Sequence, residues 1–201
     1  CPHGIDSELF NPLYRSEKLR SGYLDSPEGI LLLYVGRIAP EKDLEVLLKA
    51  AALLNQHGLQ YKLLMVGDGP SRRKLENLNI DNVLFLGYKH GQELYDLYAS
   101  ADIFVFPSVT ETFGNVVLEA MASGLPVVAA LAGGVEDNLL PGKNGLAFTP
   151  GEAFDMAQKI EKLMTDKELR LTLSKGALEH ARSRSWDGIL ADFFASLSEL
   201  L

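Results

Sequence analysis

The sequence predicts an α/β domain in which helices cover both faces of a parallel β-sheet. Short apolar runs of strand length alternate repeatedly with stretches of helical spacing. These runs are continuously apolar, which is typical of strands that are buried on both faces. A chain of 201 residues suits one domain of this kind, or one domain with a helical appendage.

Each predicted element has a local reason. Strands are predicted where short apolar runs end at a turn or loop, and helices where apolar residues recur at helical spacing. The predicted strands are 30–36, 61–66, 82–86, 102–106, 127–130 and, as a candidate sixth, 146–148. The predicted helices are 41–57, 71–78, 92–99 and 116–122, with two or three more between 152 and 201. Residues before 30 are expected to be irregular. The whole of 1–201 is expected to form one domain that ends in helices, at about 152–201.

Several loops follow the carboxyl ends of the predicted strands. In open parallel sheets, ligands bind beyond these ends. The loops that begin at Gly36, Gly67, Gly87, Phe106 and Ala130 are therefore expected to converge on one crevice.

The composition excludes several classes of partner. The net charge is −8 and the isoelectric point is near 5.0, whereas surfaces that bind nucleic acid or anionic membranes are rich in basic residues. Cys1 is the single cysteine, and the four histidines share no ligand spacing, so we expect no disulfide and no metal site. No apolar run approaches the roughly 18 residues of a membrane helix. We expect a cytoplasmic protein, and the start at Cys1 without a signal segment suggests a trimmed polypeptide.

A pair of glutamates and a glycine mark one candidate site. Glu111 lies in the loop after the fourth predicted strand, and Glu119 follows inside the next helix. The backbone amides near Gly114 and Asn115 fall at that helix's N-terminus, where the helix dipole favours an anion such as phosphate. A carboxylate at Glu119 is able to accept two hydrogen bonds from a vicinal diol such as ribose. Either glutamate alone is more simply a surface charge or a complement to the helix dipole, whereas the combination favours a nucleotide site.

This stretch resembles the Glu-x₇-Glu motif of retaining GT-B glycosyltransferases of the large family-four type. Further landmarks of that family follow in order over roughly 2–186. They are His3-Gly4-Ile5-Asp6 with Phe10 and Pro12, Gly36-Arg37 with Glu41-Lys42, 66–70, Gly87-Tyr88, Ala101-Asp102, Pro107-Ser108 and 124–128. The resemblance implies the C-terminal, Rossmann-like half of a GT-B fold, which binds the donor. The N-terminal domain that binds the acceptor is absent from these 201 residues.

The resemblance also implies catalytic roles. Arg37 and Lys42 would grip the diphosphate of a nucleotide sugar, and Glu111 would face the sugar. No metal and no cofactor is required, since the two cations and the helix terminus replace a divalent ion. In the family a glycine commonly follows the lysine, whereas Asp43 stands here. One interpretation is that Asp43 caps the helix that follows, a common use of aspartate.

The donor-binding residues implied by the resemblance surround this diphosphate site. Glu119 would hold the ribose, and Tyr88 would border the base. The backbone amides of Phe113, Gly114 and Asn115 would meet the phosphates or the sugar. The full donor-binding set is Gly36, Gly67, Tyr88, Thr112, Phe113, Gly114, Asn115 and Glu119. Two simpler interpretations stay open, because a tyrosine beside a glycine turn often only covers a sheet edge, and a lysine after a strand is often only solvated.

The predicted function is transfer of a hexose from a nucleotide-sugar donor, such as a UDP- or GDP-sugar, to an acceptor hydroxyl with retention at the anomeric carbon. The acceptor is a glycan, a lipid or a small molecule, and the isolated domain is expected to be inactive. A full-length enzyme of this type can also lie peripherally on a membrane. Two alternatives stay open: a non-catalytic nucleotide-binding module, and a nucleotide-sugar epimerase or phosphorylase on the same fold.

Two other nucleotide-binding patterns fit poorly. The turn at 67–70 is similar to a dinucleotide-cofactor loop, but Arg72 occupies the third glycine position and no acid stands at the end of the next strand. No glycine loop is followed by Lys-Ser or Lys-Thr, as a P-loop kinase requires. The transferase interpretation is therefore favoured.

Overall fold

A six-stranded parallel sheet forms the centre of the protein. The structure is a computed structural model that describes residues 4–184. The strands are β1 Ile30–Val35, β2 Tyr61–Val66, β3 Val83–Gly87, β4 Ile103–Phe106, β5 Val127–Ala130 and β6 Gly145–Phe148. Their order in the sheet is β3-β2-β1-β4-β5-β6, and all neighbouring strands are parallel. The predicted parallel sheet is confirmed, including its candidate sixth strand.

Helices surround this sheet. They are α1 Glu17–Tyr23, α2 Leu44–Gln56, α3 Arg72–Glu76, α4 Gln92–Ser100, α5 Asn115–Ala122, α6 Ala153–Thr165 and α7 Lys167–Ser183. Helix α2 packs against α6, and α5 packs against α7. Strands β1, β4 and β5 are buried along their whole length, as expected of strands covered on both faces. Across residues 4–184, no helix combines the length and apolar character that a bilayer crossing needs.

The terminal helices match the prediction as far as they are described. Helices α6 and α7 lie within the predicted helical end of the chain. Cys1, His3 and Trp186, which the sequence analysis named, lie outside the described residues, as does the rest of 185–201.

The helix after β1 begins later than predicted. A 3-10 turn at Pro40–Lys42 precedes it, and α2 starts only at Leu44. Asp43 lies between the two with a left-handed backbone, at a φ of 51° and a ψ of 32°, which interrupts the helical path. Asp43 occupies the N-cap position of α2, but its side chain makes no capping hydrogen bond. The capping interpretation of Asp43 is therefore wrong.

The opening of the chain is more ordered than predicted. Helix α1 starts after Ser16, whose side chain accepts a hydrogen bond from the Leu19 amide. It buries Arg20, whose guanidinium lies 2.7 Å from Asp102 Oδ2 and donates to the Gly29 carbonyl. The expectation of an irregular opening is wrong, because this segment is tied down by a buried ion pair to a residue 82 positions away.

Four aromatic rings form a column through the core, made of Tyr34, Phe106, Phe104 and Tyr98. Tyr34 stacks on Phe106 and Phe106 on Phe104, each with centroids 6.0 Å apart. Phe104 contacts Tyr98 at 5.9 Å. All four rings are fully buried, so this aromatic column joins β1, β4 and α4 rigidly. Each end of the column is a tyrosine, and both hydroxyls reach loops or helices that carry predicted site residues.

Candidate functional site

Glycines begin the loops at the carboxyl edge of the sheet. The Gly36 amide donates to the Val66 carbonyl at 3.0 Å, and the Gly67 amide donates to the Gly87 carbonyl at 2.9 Å. Gly67 has a φ of 127°, and a Cβ built there would lie 2.0 Å from the Gly36 carbonyl oxygen. The absence of a side chain at Gly67 therefore allows the loops at Gly67 and Gly36 to lie in close contact. The fold requires this glycine whether or not a ligand binds.

The structure brings Lys42 and Glu111 together at this edge. Lys42 Nζ lies 2.9 Å from Glu111 Oε2, and the two side chains are 17% and 21% exposed. The ammonium also lies 5.8 Å from the centroid of the Phe106 ring, within the range of a cation–π contact. Lys42 is thus a partly buried, paired cation between the loops that follow β1 and β4, and is not simply solvated.

Arg37 stands apart from this pair. Its side chain is 63% exposed, and its Nη1 lies 3.5 Å from Glu41 Oε1, a long contact between exposed groups. Its backbone is held more firmly, because its carbonyl accepts a hydrogen bond of 3.0 Å from the Tyr34 hydroxyl. Burial, and then the charges of Glu111 and Glu41, raise the pKa of Tyr34, so the phenol stays a donor. The structure therefore fixes the loop of Arg37 and leaves the guanidinium at the surface.

Glu119 lies on α5 with its carboxylate partly enclosed. Tyr98, at the other end of the aromatic column, donates a hydrogen bond of 2.8 Å to Glu119 Oε2. Burial raises the pKa of Glu119, and the hydrogen bond from Tyr98 partly offsets that rise. Tyr98 was not among the residues predicted from the sequence, because a tyrosine within an amphipathic helix carries no local mark of such a contact.

The entrance to α5 is built from tightly packed backbone. Gly114 precedes the helix with a left-handed φ of 67°, and a Cβ there would lie 2.7 Å from the Gly134 carbonyl oxygen. The Gly134 amide donates to the Glu111 carbonyl at 2.7 Å, and the Asn138 amide group donates to the Phe113 carbonyl at 3.3 Å. The segment around Gly134 and Asn138, which the sequence analysis missed, thus fixes the loop that carries Glu111.

The remaining predicted donor-binding residues lie around this entrance or on a separate loop. Thr112, Phe113 and Asn115 are exposed beside Gly114, where the first amides of α5 lack partners within the helix. Tyr88 follows β3 and is 75% exposed, so its ring does not cover the sheet. The simpler interpretation of Tyr88 as an edge cover is therefore wrong, and its contact with a base stays a prediction.

Within 4–184, the ionisable side chains form no recognisable metal centre. No group of three or more histidine, cysteine, aspartate or glutamate side chains in that range is placed to hold a metal ion. The charged groups at the candidate site include Lys42 with Glu111, Arg37 with Glu41, and Glu119.

Comparison with known proteins identifies the family. The family model for glycosyl transferases group 1 matches residues 16–180. The sulfoquinovosyl transferase of Arabidopsis thaliana is 43% identical over 91% of this chain, and the chain covers 36% of its length. The D-inositol 3-phosphate glycosyltransferase of Stackebrandtia nassauensis is 35% identical over the whole chain, which covers 48% of it. The chain thus spans between about a third and a half of these relatives.

Solved structures share the fold. Sucrose-phosphate synthase from Thermosynechococcus elongatus superposes with a TM-score of 0.83 at 31% identity, over 99% of this chain and 51% of its own. HepE of Anabaena, solved with UDP and glucose, superposes with a TM-score of 0.82 at 27% identity, over 98% of this chain and 55% of its own. Both the sequence match and the architecture lead to one conclusion: the chain belongs to the group 1 family of glycosyl transferases and has the Rossmann-like fold of one GT-B half.

Proposed function

We propose that this chain binds a nucleoside-diphosphate sugar at the carboxyl edge of its sheet and is the donor half of a retaining hexosyltransferase. The observation that carries the proposal is the convergence of Lys42, Glu111 and the N-terminus of α5, an arrangement suited to a diphosphate beside a sugar. The neighbours support it, since HepE has been solved with UDP and with UDP-glucose.

The charges at this edge suit an anionic leaving group. The ammonium of Lys42 is held by Glu111 and Phe106 before any donor arrives, so it needs little reorganisation to meet a phosphate. The amides at the start of α5 add fixed dipoles directed at an anion. Among residues 4–184, the guanidinium of Arg37 has only an exposed contact with Glu41 to give up, so it can close over the diphosphate.

The acceptor site belongs to the part of the protein outside this chain. The chain spans less than two thirds of its relatives, and we place an acceptor-binding domain in the same polypeptide. The acceptor is a hydroxyl of a glycan, a lipid or a small molecule, and the reaction takes place in the cytoplasm. The isolated chain is accordingly expected to bind the donor without transferring its sugar.

The two glutamates of the motif are expected to act on different parts of the donor. Glu119→Ala should weaken binding of a plain nucleoside diphosphate and of the nucleotide sugar equally, by about 1.5–3 kcal/mol, because a charge-assisted bond to the ribose is lost from both. Glu111→Ala should weaken the nucleotide sugar more than the plain nucleotide, because the contact of its carboxylate with the hexose is lost from the sugar conjugate alone, whereas the release of Lys42 from Glu111 affects both ligands. Calorimetric titration of both ligands into each variant measures the difference.

A glutamate far from the site provides the control for this experiment. Glu179 is exposed on α7, and Glu179→Ala should leave both affinities unchanged. Equal losses for both ligands in both site variants would show that the roles of Glu111 and Glu119 are assigned wrongly.

Nucleotide binding is expected to be independent of divalent metal. Lys42, Arg37 and the α5 terminus supply the positive potential that a metal ion would otherwise provide. The Kd of the nucleotide should therefore stay within about twofold when excess EDTA is added, as measured by titration with and without chelator. Loss of binding in EDTA that added Mg²⁺ or Mn²⁺ restores would contradict this part of the proposal.

A further inference from the structure

The two oxygens of the Glu119 carboxylate have different surroundings. Oε2 accepts the hydrogen bond of 2.8 Å from Tyr98, whose hydroxyl also lies 3.5 Å from the Val116 carbonyl oxygen. In the described part of the chain, Oε1 accepts no hydrogen bond. A carboxylate oxygen has lone pairs for further donors, so Oε1 has its full accepting capacity left for a ligand.

Tyr98 itself has little freedom to move. Its ring is fully buried, contacts Phe10 edge to face at 5.5 Å and meets Phe104 at 5.9 Å as the last member of the aromatic column. Closely packed rings hold one rotamer, so the position of the phenol oxygen is determined by the core. The hydrogen bond from this phenol restricts the Glu119 carboxylate to one position, whereas a glutamate without such a bond would sample several rotamers.

We infer that Tyr98 is a positioning residue for the donor: it fixes the Glu119 carboxylate so that Oε1 meets the ribose diol. The inference rests on the proposed function, which places the ribose at Glu119. Tyr98 acts through Glu119 and not on the nucleotide, because its side chain is enclosed in the core. Its hydrogen bond has a second consequence, since it opposes the rise that burial causes in the pKa of Glu119 and so favours the carboxylate over the acid.

A comparison of nucleotides with and without the diol tests this inference. UDP, GDP and ADP are titrated calorimetrically into the chain, and the tightest is compared with its 2′,3′-dideoxy form. Tyr98→Phe should weaken the diol-bearing nucleotide by about five- to tenfold, the size of a lost hydrogen bond, and leave the dideoxy form within about twofold. Tyr61→Phe is the matched control, because Tyr61 is also buried and donates one hydrogen bond of 2.7 Å, to the Ala51 carbonyl, but is not part of the site.

The preference for the nucleotide with the diol over its dideoxy form should also depend on pH. This dependence distinguishes a role of Tyr98 in positioning Glu119 from a role in the stability of the fold. Tyr98 is the ionisable side chain that faces Glu119 in the described residues, and its removal should raise the pKa of Glu119 further. As the pH falls, the preference for the nucleotide with the diol over its dideoxy form should decline as Glu119 is protonated, and in Tyr98→Phe this decline should begin at a higher pH. The ratio of the two affinities cancels the titration of the phosphate, which both nucleotides share.

The outcomes distinguish the inference from the proposed function. If the unmodified chain binds none of the three nucleotides, the proposed function and the inference both fail. If it binds but does not prefer the diol, the ribose contact and the inference fail while nucleotide binding stands. A Tyr98→Phe variant that keeps the full preference overturns the inference alone. So does one that loses the dideoxy nucleotide as well, because the hydroxyl would then be holding the fold.

Discussion

Replacing Lys42 by alanine is expected to lower kcat of the full-length polypeptide by about 10²–10³-fold, with kcat/KM falling by a similar factor. Negative charge grows on the diphosphate as the bond to the sugar opens, so a fixed ammonium stabilises the transition state more than the bound donor. Lys42 is well suited to this role because Glu111 and the Phe106 ring already hold it in place. Steady-state kinetics with the preferred nucleotide sugar measure both constants.

The same reasoning applies to Arg37 with a smaller expected effect. Arg37→Ala should also depress kcat and kcat/KM together, but its guanidinium is 63% exposed and must first leave Glu41. Lys49, exposed on α2, is the control, and Lys49→Ala should leave both constants unchanged. A rise in KM with kcat unaffected in Lys42→Ala would show that the lysine only binds the donor, contrary to the proposal.

A methyl group added at Gly67 is expected to destabilise the fold by about 3 kcal/mol or more. The new Cβ would lie 2.0 Å from the Gly36 carbonyl oxygen, and the residue would keep a φ of 127° that side chains rarely adopt. Since backbone obstructs the methyl group, no side-chain rotation relieves the clash. Denaturant unfolding of Gly67→Ala against the unmodified chain measures the loss in free energy of unfolding.

Gly58 allows the clash of the added Cβ to be distinguished from the strain of a positive φ. It also has a positive φ, of 67°, but a Cβ there meets nothing within 4 Å. Gly58→Ala should therefore cost only the backbone strain, about 1–2 kcal/mol. Similar losses at both positions would mean that the close passage of the loops at Gly67 and Gly36 is not what requires a glycine.

The strands were predictable because a strand that is buried on both faces has a continuous run of apolar residues. All six residues of β1 are buried, and the corresponding run is apolar throughout. The turns at Gly36 and Gly87 marked where two strands end. The start of α2 was less predictable, because the left-handed backbone of Asp43 depends on how the preceding loop is held, and not on local propensity.

The pairing at the site could not be derived from spacing. Lys42 and Glu111 are 69 positions apart, and they meet only because β1 lies beside β4 in the sheet. Composition and periodicity do not encode strand order, so the grouping rested on the family resemblance. The contacts of Tyr98 and Asn138 could not be predicted for a related reason. Both are common residue types, and their part in the site depends on contacts with residues that are distant in the sequence.

The ion pair at the site bears on the sugar transfer that we propose. A carboxylate 2.9 Å from an ammonium is a weaker nucleophile than a free one, so Glu111 is poorly suited to attack the anomeric carbon. We expect instead that the bond between the anomeric carbon and the diphosphate breaks, that the acceptor oxygen bonds to that carbon on the same face, and that a diphosphate oxygen takes the proton of the acceptor hydroxyl. That route retains the anomeric configuration without a covalent intermediate.

The stereochemistry of the product tests the proposed function most directly. The full-length polypeptide is supplied with UDP-, GDP- and ADP-sugars and an acceptor panel of glycans, lipids and small hydroxyl compounds, and the anomeric proton of each product is observed by NMR. We predict transfer from one nucleotide sugar, with a product of the same anomeric configuration as the donor and no sugar attached to the protein. An inverted product, a sugar ester on Glu111, or binding of the nucleotide without any transfer would contradict the account.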